Sequence, residues 1–539
     1  MAAEQGFLML VLHAHLPYVR HPECDYFLEE NWLFEALTET YLPLLSVLEN
    51  LADDGVPCRI TMSMTPPLTS MLTNELLQQR YERYIERLIE LAEKELDRTR
   101  NMPEFSDTAQ MYYEKFTTCR TLFVDTYDRD IVKAYRRLQD EGLIEIITSG
   151  ATHGFLPNMQ MNAAAVRAQV AVAVESYRRH FGTTPRGIWL PECGYYPGLE
   201  KHIEEAGIRY FFLDTHGVLF AEPRPVYGVY APIFCKDTQV AAFGRDLDSS
   251  KSVWSSREGY PGDFAYRDFY RDIGFDLPFD YIQPYVDPIG ARVSTGIKYH
   301  RITGRTDHKE PYNRRTALNK AAEHANDFMH NRQEQIEYLR SVMDRPPVIV
   351  APYDAELFGH WWYEGPDWLN SLVRKIAFEQ NTLSLITPSD YLAACPTNQV
   401  CTPSYSSWGY RGYSEVWLES SNDWIYRHLH AIEQRMTETA KKNINARGLR
   451  RRILNQMARE LLLAESSDWA FIMKSGTMVP YAVRRTKEHV SNFLQLHQSL
   501  EQGTADRSFL ELLESHNDIF PEIDFRVYAD DKRPASHAS

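Results

Sequence analysis

Phe7-Leu-Met-Leu-Val-Leu-His13-Ala-His15 is an unbroken apolar run that ends at Leu16-Pro17 with two histidines at alternate positions. A parallel strand buried on both faces reads this way, whereas a half-solvated strand alternates apolar with polar residues. Runs of the same form recur at Cys58-Arg-Ile-Thr-Met-Ser-Met64, Ile144-Glu-Ile-Ile-Thr148, Gly187-Ile-Trp-Leu190, Tyr210-Phe-Phe-Leu213, Val348-Ile-Val350 and Leu383-Ser-Leu-Ile386. Helical patterns separate most of them, as in residues 162–181. Strand alternating with helix over several hundred residues predicts a parallel α/β architecture. Seven such strands, several ending in His, Glu or Asp, suggest a barrel with its site at the strands' C-terminal face. An open doubly wound sheet fits the same pattern.

Two of these runs end in acids. In Gly187-Ile-Trp-Leu-Pro-Glu192-Cys-Gly-Tyr-Tyr196 the apolar stretch breaks at a proline and a lone carboxylate follows. An unpaired Glu is costly inside a strand, so Glu192 is expected where the strand opens into a pocket; the alternative is an ordinary surface loop. Pro346-Pro-Val-Ile-Val-Ala-Pro-Tyr-Asp354-Ala-Glu356-Leu-Phe-Gly-His360-Trp-Trp362 repeats the grammar, breaking at Pro352 and delivering acids into an aromatic segment. Paired acids among Trp and Tyr suit glycosidic-bond cleavage, one as nucleophile and one as general acid/base. Retention calls for carboxyls about 5–5.5 Å apart and inversion for roughly 6.5–9.5 Å. Glu356 could take either role, but the break after Pro352-Tyr353 favours Asp354 at the strand mouth.

His13 and His15 share one face of their strand and end it where a barrel keeps its site, so both are expected in the pocket. With His153, in Gly150-Ala-Thr-His153-Gly-Phe-Leu-Pro157, they form a rival zinc set, although no carboxylate near the His-x-His pair completes it. Trp408, Trp417 and Trp424 form an aromatic cluster; a tryptophan in a helical domain is usually core, but the glycines and polar neighbours around Trp408 and Trp417 suit a surface for stacking sugar rings better than a packed helix. Asp468, in Ser466-Ser-Asp-Trp469, reads as a helix cap.

The bulk composition narrows the partners. The 539 residues allow more than one domain, and 44% hydrophobic content supports a large core. A net charge of −16 argues against nucleic acid or an anionic membrane and is compatible with a neutral polymer. Seven scattered cysteines without a CxxC pair suggest neither a zinc knuckle nor a disulfide framework, and point to a reducing compartment. The N-terminus lacks a basic leader, and its apolar run is too short to span a membrane, so a cytoplasmic protein is expected. The expected organisation is a catalytic domain over 1–400, interrupted by a helical insertion at about 66–138 and an irregular one at about 227–311. A C-terminal helical domain over 401–526 and a polar tail at 527–539 follow. Residues 75–96 are strongly amphipathic, and 427–445, 449–465 and 479–501 read as helices.

Five motifs in order, His13-Ala-His-Leu-Pro-Tyr18, Gly150-Ala-Thr-His-Gly-Phe155, Trp189-Leu-Pro-Glu-Cys-Gly-Tyr195, Ala351-Pro-Tyr-Asp-Ala-Glu-Leu-Phe-Gly-His360 and the segment 408–424, resemble glycoside hydrolase family 57, specifically its α-1,4-glucan branching enzyme-like subgroup. The resemblance runs nearly end to end. It implies an α/β fold, a (β/α)7 barrel with helical insertion and C-terminal all-helical domain, and a retaining mechanism with neither metal nor cofactor. It implies Glu192 as nucleophile, Asp354 as acid/base, and His13, His15 and His153 as sugar-contacting residues. Trp408 and Trp417 match glucan-stacking positions, and Asp468 matches one lining the glucan site, which competes with the capping reading. Phe275 stands where members often carry Trp after Asp-Ile-Gly, keeping a stacking face without the indole N–H.

Branching members also resemble one another in a mobile loop whose tip tyrosine keeps water from the glycosyl intermediate. Here Ile233-Phe-Cys-Lys-Asp-Thr-Gln-Val240 is short and has no tyrosine, with Tyr227 and Tyr230 nearby. A short lid would favour water as acceptor. The expected activity is cleavage of an α-1,4 bond in amylose, glycogen or a starch-like polymer and transfer to a 6-hydroxyl, by a monomer. The alternatives are an α-amylase-like hydrolase, a zinc-dependent carbohydrate hydrolase and a non-enzymatic glucan-binding protein.

Overall fold

The computed structural model describes residues 5–255, 258–285 and 290–529. Among them the strands are β1 (Gly6–Ala14), β2 (Ile60–Met64), β3 (Ile144–Ile147), β4 (Gly187–Ile188), β5 (Tyr210–Leu213), β6 (Ile233–Cys235), β7 (Ala241–Gly244), β8 (Val348–Asp354), β9 (Leu383–Leu385) and β10 (Val400–Cys401). One sheet runs β3-β2-β1-β8, with β9 also paired to β1; the other runs β10-β6-β7-β5-β4. All pairings are parallel except that of β6 with β7. The fold is thus α/β, mostly helical, with a parallel sheet core and a C-terminal helical region.

Backbone bonds tie the two sheets together at two seams. Thr148 bridges Ile188, and Asp246 N–H donates to the Val350 carbonyl at 2.9 Å. The ladder is interrupted at both, so the strands form two joined arcs rather than one continuous seven-stranded sheet.

All nine residues of β1 are buried, which explains its lack of a polar face. Phe7, Met9 and Val11 face an inner core with Trp189, Phe212, Phe243, Val348 and Val350, whereas Leu8, Leu10 and Leu12 join the larger outer core. Side chains two apart share a face, so His13 continues the inner row. The register pairs His13 with Asp354 on one side and with Ser63 on the other. The candidate site is therefore the top layer of the inner core, where the apolar row turns polar.

Helices fill the stretch between β2 and β3: Pro66–Leu72, Glu75–Thr99, Pro103–Arg120 and Ile131–Asp140. Another, Ala163–Phe181, starts at Asn162, whose side chain accepts from two backbone N–H groups, and stops at Gly182 with φ 73°. The C-terminal region holds Tyr426–Lys442, Gly448–Ala464, Ser467–Ser475, Val479–Gln502 and Arg507–His516. The chain then turns back through Phe525–Tyr528, where Tyr528 is fully buried. The polar tail expected from 527 onward thus begins with packed residues; 530–539 lie outside the described residues.

The span 227–311 differs from its reading as one irregular insertion. Its first part is the β6–β7 hairpin, in register Ile233↔Ala242 and Phe234↔Ala241. Because β7 runs parallel to β5, the hairpin turn at 236–240 lies at the N-terminal ends of the strands. Gln239 N–H accordingly bonds Glu204, at the end of the helix that precedes β5. The turn is therefore on the face opposite His13 and Asp354 and cannot act as the lid. Nor do its neighbouring tyrosines supply one: the Tyr230 carbonyl accepts from Val348 at the start of β8, and the Tyr227 ring lies beneath Arg345.

Candidate active site

Glu192 occupies a strained corner. After the proline that ends its strand, Glu192 has φ 59° and ψ 24°, and Cys193 has φ 51°. Left-handed backbone costs a non-glycine residue about 1–3 kcal/mol, and such residues persist only where surroundings over-determine them. The bonds that do so are Trp408 N–H to the Glu192 carbonyl at 3.0 Å and Cys193 N–H to the Leu190 carbonyl at 2.8 Å. The carboxylate is clamped as well: Trp408 Nε1 donates to Oε2 at 2.9 Å, and Ser467 Oγ donates to Oε1 at 3.3 Å.

The three histidines form a stack. His13 lies on Trp189, with ring centroids 4.9 Å apart, and His15 lies on His153 at 3.7 Å. His13 Nδ1 meets Ser63 Oγ and its Nε2 meets His153 Nε2, each at 3.1 Å; His153 Nδ1 meets Ser467 Oγ at 2.9 Å. His15 Nδ1 meets Thr65 Oγ1 at 3.0 Å, and its Nε2 is 3.1 Å from both oxygens of Asp468. Burial and the neighbouring His15 charge hold His13 and His153 well below the usual imidazole range. Burial also pulls His15 down, but Asp468, Glu192 and Glu356 outweigh it and raise its pKa. His15 is therefore the ring of the three that most favours the charged form.

Asp468 does not cap its helix by side chain; the N-cap is Ser466, whose hydroxyl donates to Asp468 at 2.6 Å. The ligand atoms of His15, His153 and Asp468 all fall within 4.8 Å of one another. Zinc would need nitrogen lone pairs converging on a point 2.0–2.1 Å away. Here the His15 and His153 planes are 18° apart and stacked, so their in-plane lone pairs run side by side. Every ring nitrogen of the three histidines already has a hydrogen-bond partner. The set fits a hydrogen-bonded relay, not a zinc centre.

Asp354 and Glu192 differ in what surrounds them. No donor among the described residues reaches the Asp354 carboxyl, and although Asp354 stands at the start of a short helix its side chain makes no cap bond. Burial, then the Glu356 and Glu192 charges, raise its pKa well above the usual carboxylate range, against a weaker pull from Arg245. Burial pushes Glu192 up to about 7, with Asp468 adding to it and Trp408, His15 and Ser467 opposing. Glu356 is occupied, its Oε1 accepting from the Tyr41 hydroxyl and the His15 N–H. Both acids are thus raised by burial, and they differ in that only Glu192 has hydrogen bonds favouring its anion.

The remaining expected positions divide. Trp408 is part-exposed and central. Trp417 is 1% exposed and stacked on Phe155 at 4.3 Å, so it has no free face for a sugar and serves as core, contrary to the stacking expected of it. Phe275, half exposed on the short helix Ile273–Asp276, joins none of the hydrogen bonds or ring contacts of the site. Sequence reasoning missed Arg245, which follows β7 and lies over the Trp408 ring at 5.8 Å. The signal was available, since a charge there ends an apolar run as at Glu192. It also missed Tyr41, Ser63, Thr65 and Ser467, hydroxyl-bearing residues without a distinguishing pattern.

Two carboxyls near enough for one charge to act on the other, walled by indoles and imidazoles, suit an enzyme site for the glycosidic bond. Residues 9–403 match the family Glycosyl hydrolase family 57, and residues 428–528 match the family described as 1,4-alpha-glucan branching enzyme, C-terminal. The chain belongs to glycosyl hydrolase family 57. It is 33% identical to the 1,4-alpha-glucan branching enzyme TK1436 of Thermococcus kodakarensis, over 98% of this chain and 79% of that one. It is similar in structure to the alpha-amylase AmyC of Thermotoga maritima, with TM-score 0.92 and 48% identity over 98% and 100% of the two chains. It is also similar to the GH57-type branching enzyme of Pyrococcus horikoshii, with TM-score 0.88 and 33% identity over 98% of both. Among the described residues no helix is long and apolar enough to cross a membrane.

Proposed function

We propose that the protein is a retaining 1,4-α-glucan branching enzyme, with Glu192 as nucleophile and Asp354 as acid/base. The observation that carries the reading is the asymmetry between the two carboxyls. Glu192 receives two hydrogen bonds that favour its anion, whereas Asp354 receives none and faces two negative neighbours. In the first step Asp354 gives its proton to the glycosidic oxygen while Glu192 bonds to the anomeric carbon. In the second, Asp354 takes the proton of an acceptor 6-hydroxyl, the new C–O bond forms, and Glu192 is released. The His15–Asp468 pair and the neutral His13 and His153 wall the sugar beside Glu192, their rings ordered by the bonds they make to one another and to Ser63 and Ser467.

Transfer to a 6-hydroxyl, rather than to water, is favoured by the branching enzymes among the relatives and by the match of the C-terminal region. Hydrolysis is the second reading, favoured by 48% identity to an alpha-amylase. We take the protein to act in the cytoplasm, on the strength of seven free cysteines. Incubation with amylose separates the readings: new α-1,6 linkages support branching, and reducing ends alone make it a hydrolase. Glu192→Gln and Asp354→Asn should each lower turnover at least about 10³-fold with the fold intact. Near-normal activity in either removes the assignment.

A further inference from the structure

The branching reading leaves open where the second glucan chain lies. A cavity of about 1220 Å³ opens beside Asp354, lined among others by Trp254, Arg267, Phe269, Tyr270 and Trp361. Glu192, His13 and Trp408 are not among its lining residues. The space adjoins the acid/base and not the nucleophile. In a retaining reaction the acid/base protonates the departing oxygen and later deprotonates the incoming one, so leaving group and acceptor share its side. The volume exceeds the roughly 300–1,000 Å³ of small-molecule sites, so it holds several sugar units.

The walls suit such a chain. Tyr270 is 83% exposed and Trp361 is 55% exposed, although both stand in a well-packed domain. They are held rigidly: Trp361 stacks on Phe269 at 4.6 Å and 21°, and Tyr270 meets the same ring edge-on. Phe269 is pinned in turn by Lys298 Nζ over its face at 4.4 Å and by the edge of His360. The turn carrying Tyr270 is fixed by its N–H bond to Asp268, which Lys309 pairs at 2.7 Å. Large aromatic faces kept exposed on a rigid mount, with polar groups at the rim, match the apolar C–H faces and hydroxyl edges of glucose units.

We infer that this cavity is the acceptor site for a second α-1,4-glucan chain, with Trp361 and Tyr270 as its stacking faces. This rests on the branching reading. A chain lying there covers Asp354 and displaces the water that would otherwise compete, so occupancy of the platform sets the ratio of transfer to hydrolysis. The covering role expected of the short 233–240 stretch then falls to the substrate itself.

Two measurements test the inference. The first is titration of maltoheptaose into the Glu192→Gln protein, followed by calorimetry, alone and with Trp361→Ala or Tyr270→Ala added. The second counts α-1,6 linkages against reducing ends from amylose for the same alanine variants on the active protein. Each alanine variant should weaken binding several-fold and lower the linkage-to-reducing-end ratio about tenfold, with Trp361→Phe restoring most of it. Unchanged binding and an unchanged ratio in both alanine variants overturn the platform. A parent that forms reducing ends and no linkages overturns the branching reading instead. In that case weakened binding in the alanine variants still supports a glucan site beside Asp354, and unchanged binding rejects it.

Discussion

Replacing Trp408 with Phe should move the acid limb of the pH–rate profile while leaving an aromatic ring at that position. The indole N–H donates to Glu192 Oε2 at 2.9 Å and is the foremost influence holding that carboxyl down against burial. Hydrogen bonds to charged groups contribute about 1.5–3 kcal/mol. At about 1.4 kcal/mol per pKa unit, losing this one should raise Glu192 by one to two units. The wild-type value is about 7, so roughly half the enzyme carries the anion at neutral pH. After the shift the anionic fraction falls to between about a tenth and a hundredth, and kcat/KM at pH 7 drops about 5- to 50-fold. The loss should shrink as pH rises, because the nucleophile is recovered by deprotonation. The assay is kcat/KM for amylose cleavage between pH 5 and 9. A uniform loss across that range, with the acid limb unmoved, would refute the assignment of this bond to Glu192's ionisation.

Three further outcomes follow from the same coordinates. Activity should survive exhaustive chelator treatment, since every nitrogen of the three histidines is already bonded; loss restored by zinc alone would contradict this. Trp417→Ala should lower stability by about 3–5 kcal/mol through the cavity it leaves against Phe155, measured by denaturant unfolding, without altering glucan affinity. Glu433 is 1% exposed and neither of its oxygens finds a partner, so burial raises its pKa. The folded state then keeps a proton that the unfolded state releases above about pH 4.5, and stability falls as pH rises from there through the folded pKa. Burial and the Glu433 charge also raise Glu465, so Glu433→Gln should remove part of that fall and stabilise the protein at pH 8–9; unfolding curves at pH 5 and 9 measure it.

The sites that sequence made legible are those where two physical demands collide. Glu192 and Asp354 stood out because a carboxylate directly after a buried run needs a special environment, and β1 stood out because a strand covered on both sides cannot alternate. The β6–β7 hairpin was hidden because Ile233-Phe-Cys and Ala241-Ala-Phe-Gly are three and four residues long, too short to show a period. Its reading as a lid failed on direction: only the parallel pairing of β7 with β5 reveals which end of the sheet the turn occupies. Trp417 was misread from its glycine-rich neighbours, because the partner that buries it, Phe155, lies far away in the chain. The His15–Asp468 pair joins residues 453 apart and makes Asp468 a partner rather than a cap; no local pattern carries that information.

The central claim is that Glu192 takes the glycosyl group while Asp354 handles the proton. An α-maltosyl fluoride donor needs no acid to depart, so Asp354→Asn, lacking the base for the second step, should accumulate the intermediate. Mass spectrometry of the digested protein should find the added maltosyl mass on the peptide containing Glu192. A label on any other carboxylate, or turnover to product with no covalent adduct at all, would contradict the account.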